Sequence, residues 1–211
     1  FLKQNKLILS SFFIAASIAL KLLPLLFLPL FFQLLNFKKL VLFYSLILGF
    51  TLLFFIPFIY SAFLANYTKT ISLWFGQFEF NGSFHHLAKK IAVKISGYNS
   101  IKEYIKIITP LLVISFTLVM TFFRKNRNTQ QLLVAMLFTL FFYLATATTV
   151  HPWYIAMLLL FSVFTSYRFP LIWSFVIMLT YFTYMNPDFI ENPWILFIEY
   201  GVVYGYLAWE L

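Results

Sequence analysis

The sequence predicts an all-α protein, a polytopic transmembrane helical bundle, and three observations carry that prediction. The chain is 63% hydrophobic and only 10% charged, where a soluble domain carries about 25% charged residues. Apolar runs recur along nearly its whole length, each of the kind that reads as a membrane helix. Their patterning is helical, without the alternating segments of about ten residues expected of an outer-membrane barrel. The formal charge of +9 would suggest nucleic acid in a soluble protein. Here the cations lie between apolar spans, which is the signature of membrane topology, so no nucleic-acid partner is expected. Cysteine is absent, which excludes disulfides and thiol chemistry. The chain opens on Phe1 without a signal-peptide pattern, so further residues are expected upstream.

The elements follow in order. Residues 7–35 are apolar but hold Lys21, Pro24 and Pro29. Basic residues flank the region on both sides (Lys3 and Lys6, Lys38 and Lys39), which places both ends in the cytoplasm. Legs 7–20 and 22–35 then form a re-entrant hairpin with Lys21 near its apex; the competing reading is one long, kinked helix. Spans are expected at 40–64, 104–123, 130–150, 154–167, 169–185 and 194–210, the 154–167 segment being short for a crossing of about 20 residues. The loops holding Lys38–Lys39, Arg124–Lys125–Arg127 and Arg168 contain no acid and are assigned to the cytoplasm. The opposite side receives the 65–103 loop, the 151–153 turn and the 186–194 loop, with Glu79, Glu103, Asp188 and Glu191 on that side. Trp74, Trp153 and Trp194 fall at interface depth.

Within the 65–103 loop, Tyr67, Ile71, Trp74 and Phe78 form one helical stripe. Phe84, Leu87, Ile91 and Ile95 form another, with His85, His86, Lys89, Lys90 and Lys94 largely away from it. An apolar stripe opposite a basic face describes an interfacial helix. The "NGS" at 81–83 is a turn signal that also matches a glycosylation sequon. No repeat or flexible linker appears, so 1–211 reads as a single transmembrane domain.

Three polar sites stand out. A charge at the bilayer centre costs about 2.5–3.5 kcal/mol on insertion scales, and Lys21 lies far from either end of its apolar region. It calls for an anionic partner, and a lipid-linked phosphate fits; a silent ion pair inside the bundle is the alternative. In "TATTVHPWYIA", 146–156, Pro152 disfavours helix at His151. That places an imidazole at a span junction, able to hydrogen-bond a phosphate or sugar hydroxyl or to move a proton. An interfacial aromatic belt without chemistry is the bland alternative. In "QFEFNGS", 77–83, Glu79 and Asn81 alternate with Phe78 and Phe80, a combination that suits a sugar, with the end of a surface helix as its plain reading. Glu199, in the last span, is a candidate partner for a tyrosine or for Lys21. No nucleotide loop or HExxH pair appears, and adjacent His85 and His86 diverge by about 100° on a helix, so neither metal nor cofactor is expected.

The order "ALKLLPLLFLP", "FEFNGS", "HPWY" and closing "EYGVVYGYLAWE" resembles polytopic glycosyltransferases of the GT-C superfamily. The first stretch is similar to their K-[LT]-x-P-x-L-x-L segment. The group it looks most like is the bacterial polyprenol-phosphate-mannose-dependent mannosyltransferases, in a Bacteroidetes-type branch. The resemblance covers essentially the whole chain and implies the C-terminal part of a longer, multi-pass enzyme of the bacterial inner membrane. Such enzymes move a sugar, mannose in this group, from a polyprenyl-phosphate carrier to a lipid or glycan acceptor on the non-cytoplasmic side. By that resemblance Lys21 meets the carrier phosphate and His151 stands at the same site. The substrate-binding candidates are Lys21, His151, Tyr154, Glu79 and Asn81. The family's acidic base has no match here; it is expected upstream of Phe1, which would leave this stretch inactive alone. The rival functions are a transporter or flippase of a lipid-linked glycan, and a non-catalytic membrane subunit.

Overall fold

The computed structural model describes residues 2–4, 6–60, 62–76, 78–99 and 101–211. The side chains of Lys3, Trp74 and Glu103 lie outside the described set. Every element of the described chain is helical apart from one isolated β-bridge. Two helices are long and apolar enough to cross a membrane, Phe37–Phe58 and Thr129–Thr146. Where no linker or repeat marks a boundary, the chain divides into two compact units: Phe1–Ile71 with Ile114–Ala135, and Ser72–Val113 with Met136–Leu211.

In the first unit, α1 (Leu7–Leu20) carries Ser10 and Ser11, whose hydroxyls back-bond to the carbonyls of Lys6 and Leu7, each at 2.9 Å. This satisfies both hydroxyls inside an apolar helix. The helix stops at Lys21, whose backbone is extended (φ −148°, ψ 135°). The second leg, Leu23–Gln33, is a 3₁₀ helix with Pro24 at its start and Pro29 inside it. Neither proline has an amide to donate, which disfavours a continuous α ladder. Asn36 then caps α2 (Phe37–Phe55), its side chain accepting from the Lys39 amide at 3.0 Å.

Phe43 of α2 decides between hairpin and kinked helix. Ser11 Oγ lies 3.4 Å from its carbonyl, and the Phe31 ring lies 5.2 Å from its ring. In one continuous helix, residues 11 and 31 would stand about 30 Å apart and could not both reach Phe43. The chain therefore folds back at Lys21 as a hairpin. Its legs match: fourteen α residues and eleven 3₁₀ residues each rise about 21–22 Å. Tyr44 fixes the second leg through a hydrogen bond to the Leu28 carbonyl at 2.8 Å.

In the second unit, the 65–103 region provides the end of α3 (Phe63–Gly76), the turn 78–82 and α4 (Ser83–Ser96), which closes on Gly97 at φ +76°, a left-handed cap that glycine adopts without strain. α5 (Ile101–Phe122) and α6 (Thr129–Thr146) each contribute residues to both units. A 3₁₀ turn, Pro152–Tyr154, leads into α7 (Ile155–Val163). α8 (Phe169–Val176) continues as a 3₁₀ helix, Ile177–Met185. The expected 169–185 span is thus half α and half 3₁₀, and the larger 3₁₀ rise stretches it to about 30 Å. α9 (Pro193–Glu210) is capped by the Asn192 side chain on the Trp194 amide at 2.9 Å. Leu137, Leu140, Leu144, Leu158, Trp173 and Val203 are fully buried between these helices.

Candidate functional site

Two motifs of the second unit that lie 71 residues apart in sequence meet side by side. The Phe80 amide donates to the Thr148 carbonyl at 3.0 Å, and the Val150 amide donates to the Phe80 carbonyl at 2.8 Å. Thr149 Oγ1 donates to the Phe78 carbonyl at 2.7 Å. These bonds make a one-residue parallel bridge that holds "FEFNGS" against "TTVHPW". Gly82 makes the approach possible: a Cβ there would sit 2.9 Å from the Thr148 carbonyl oxygen and 3.0 Å from that of Ala147. Both obstacles are backbone, which cannot rotate away.

Asn81 ties the junction together. Its φ of +53° is left-handed, a conformation that asparagine tolerates better than most residues. Its amide donates to the Glu191 carboxylate, its carbonyl accepts from Tyr200 Oη at 2.5 Å, and its Nδ2 donates to Glu199 Oε1 at 3.0 Å. Trp173 Nε1 donates to the same Glu199 oxygen at 3.0 Å. Glu199 therefore pairs with Asn81 and Trp173 rather than with a tyrosine. Asn81 is fully buried, so the sequon it belongs to is closed to a glycan in the folded protein. Ser83 extends the knot, donating to the Ala145 carbonyl at 2.9 Å and meeting Tyr204 Oη at 2.5 Å.

Glu79 lies on the open side of this knot, its side chain 24% exposed. Lys89 Nζ donates to Oε2 at 2.6 Å, and His85 Nε2 lies 3.4 Å from Oε1, an ion pair only when the imidazole is protonated. Burial pushes the Glu79 carboxyl up, but the Lys89 hydrogen bond and the His85 and Lys89 charges outweigh it and hold the group below the usual carboxylate range. Glu191 is shifted the other way: burial raises it, against the Asn81 amide and the Lys89 charge, and the Glu79 charge adds to the rise.

His151 has the extended backbone expected before proline (φ −84°, ψ 151°). Its ring is only 4% exposed. It stacks on Phe80 at 5.0 Å and on Trp153 at 4.3 Å, with Tyr154 edge-on at 5.4 Å. Burial lowers its pKa, which favours a neutral imidazole.

Four of the five sequence-derived candidates thus come together: Glu79 and Asn81 flank Phe80, which stacks on His151 beside Tyr154. Lys21 belongs to the other unit and is exposed at its hairpin turn rather than enclosed. Sequence reasoning missed His85, Lys89 and Glu191 as members of the site. The four-residue spacing of His85 and Lys89, which puts both on one helix face, was the signal for two of them. Glu191 joins through a tertiary contact that no local pattern encodes. The face of α4 that packs inward carries His85 and Ala92, while Phe84, Leu87, Ile91 and Ile95 are exposed. Comparison with family models, curated proteins and solved structures finds no match to this chain.

Proposed function

We propose that the chain is an integral-membrane glycosyltransferase, a mannosyltransferase by resemblance, acting on the non-cytoplasmic side. Its donor is a polyprenyl-phosphate-linked sugar, and its acceptor is a lipid or glycan hydroxyl. The observation that carries this reading is the Glu79–Glu191 pair, two carboxylates at one aromatic-lined junction whose environments push them in opposite directions. Such a split is how one site provides both an ionised acceptor and a group suited to proton transfer. Glu79 stays ionised and accepts hydrogen bonds from sugar hydroxyls, beside the exposed rings of Phe78 and Trp153. In place of the base that the resemblance puts upstream of Phe1, Glu191 takes the proton of the acceptor hydroxyl as that oxygen bonds to the anomeric carbon. The bond from that carbon to the carrier phosphate breaks, and the charge leaving on phosphate calls for a cation, a role that only the family resemblance gives to Lys21.

The multi-pass arrangement completes the reading. The two long apolar helices, with the shorter apolar ones before, between and after them, are embedded in the bacterial inner membrane, with the basic short loops in the cytoplasm. In support, three loops assigned to the opposite side meet at residues 80–81, 151 and 191. A non-catalytic membrane subunit is the second reading, favoured by Asn81, whose amide, carbonyl and Nδ2 are all used in internal bonds.

The test is transfer of radiolabelled mannose from polyprenyl-phosphate-mannose to lipid-extractable product, in membranes containing the protein. Glu191→Gln should lower transfer by a factor of about 10² or more at unchanged protein level. Lys21→Met should abolish it while leaving insertion intact, and Lys21→Arg should keep part of it. Transfer in these membranes that neither substitution changes, at unchanged protein level, would overturn these catalytic roles and favour the subunit reading.

A further inference from the structure

The first unit contains no Asp or Glu at all, yet it holds Lys6, Lys21, Lys38, Lys39, Lys69, Arg124, Lys125 and Arg127 among its described residues. Its charge has no internal counterweight. Three of these cations gather on the α5–α6 loop around a cleft of about 350 Å³ lined by Gln33, Phe122, Phe123, Arg124, Lys125 and Arg127. From the geometry of this cleft we infer a binding site for the phosphate headgroup of an anionic phospholipid. The inference shares the membrane reading above but is independent of the catalytic one.

The cleft is built, not a chance gathering of surface lysines. Gln33, at the end of the hairpin, donates through Nε2 to the Thr121 carbonyl at 2.6 Å and the Arg124 carbonyl at 2.9 Å. Its Oε1 accepts from the Asn126 amide at 3.1 Å. Asn126 is fully buried and donates to the Met120 carbonyl at 2.6 Å. Arg124 donates to the Gln131 carbonyl at 2.7 Å, and Gln131 Oε1 accepts from the Arg127 amide at 3.1 Å. The loop backbone is therefore fixed before any ligand arrives. Lys125 and Arg127 remain exposed, and neither has a carboxylate within ion-pair range among the described residues.

The rim identifies the ligand as a lipid. Phe122 and Phe123 are 56% and 86% exposed, and Phe32 packs against Phe122 at 5.3 Å. Bare phenylalanines beside paired cations fit a ligand with an anionic head and apolar tails. The volume corresponds to roughly ten waters, ample for a phosphate diester with its glycerol. The positive-inside assignment puts this loop at the anionic cytoplasmic leaflet. A free phosphate shares the head chemistry but has no use for the phenylalanines.

The test uses the purified full-length protein in neutral detergent, titrated with phosphatidylglycerol, phosphatidylcholine or inorganic phosphate, with thermal unfolding and native mass spectrometry as readouts. Phosphatidylglycerol should raise the unfolding temperature and remain bound, while the other two should do neither. Lys125→Gln/Arg127→Gln, at exposed positions, should weaken phosphatidylglycerol binding at least tenfold without changing the lipid-free unfolding temperature. Lys38→Gln/Lys39→Gln, with the same charge loss, should weaken it far less. Equal stabilisation by inorganic phosphate would make this a soluble-anion site and overturn the lipid assignment. Equal retention of phosphatidylcholine, or equal losses in the two double variants, would overturn the site itself.

Discussion

At residue scale, the junction of the second unit rests on side chains whose surroundings, not their identities, define them. His151 is an imidazole in an aromatic stack, and burial depresses its pKa. The unfolded chain, with a histidine pKa of about 6.5, takes up a proton more readily than the folded protein. Stability is then unaffected by His151 well above pH ~6.5 and falls as the pH drops below it. His86 acts in the same direction, lowered by burial and by Lys90 and Lys89. Glu191 acts oppositely, because a raised carboxylate favours the folded state as the pH falls. A variant comparison isolates His151: His151→Phe keeps a ring between Phe80 and Trp153 and removes the titration. Its unfolding temperature should drop less between pH 7.5 and 5 than that of the unsubstituted protein. An identical drop would show that the stack does not resist protonation. Glu79, Asn81 and His151 could be picked out as candidates because polar residues stood among aromatics in short motifs. That Asn81 is consumed by the fold was not legible, since its partners Glu191, Glu199 and Tyr200 lie over a hundred residues away in sequence.

At the scale of elements, the helices that follow strong local rules were readable, and those shaped by tertiary bonds were not. "NGS" announces α4 as a turn, whereas the N-caps Asn36 and Asn192, which open α2 and α9, were not read from the sequence although asparagine is a favoured cap. The 3₁₀ character of Leu23–Gln33 has a local cause in Pro24 and Pro29. For Ile177–Met185, where there is no proline, the structure offers no such cause. The start of α8 is a tertiary case. Arg168, its N-cap, and Phe169, its first residue, donate their amides to Glu210 at the far end of α9, at 2.5 Å and 2.9 Å. A carboxylate there satisfies two orphan amides and meets the positive end of the helix. Glu210→Ala should therefore destabilise the protein by about 1–2 kcal/mol, read as a lowered midpoint in denaturant titration. Glu210→Gln should recover part of the loss, since it keeps an acceptor oxygen. A neutral Glu210→Ala would mean that water replaces the cap.

For the molecule as a whole, the helical class followed from composition because apolar runs this dense leave few other ways to satisfy the backbone. The proposed sidedness rests on where the charges fall. Glu79 and Glu191 sit at the junction beside the start of α9, and Arg168 sits against Glu210 at its other end. Eighteen α-helical residues separate those ends by about 27 Å, close to the hydrocarbon thickness of about 30 Å. The junction end of the second unit holds Glu79 and Glu191 beside Lys89, and the other end holds Arg168 against Glu210; the proposed topology puts these ends on opposite sides of the membrane. Single cysteines test this in a protein that has none of its own. Asn66 and Asn186 should accept membrane-impermeant thiol reagents in intact cells, while Lys125 and Asn128, both exposed on the α5–α6 loop, should react only after permeabilisation. Asn126 would be a misleading probe of the same loop, because it is fully buried and bonded to Gln33 and Met120. Labelling of Lys125 or Asn128 in intact cells would invert the topology. It would also move the carboxylate junction to the cytoplasmic side, where the proposed acceptor chemistry would have to be abandoned.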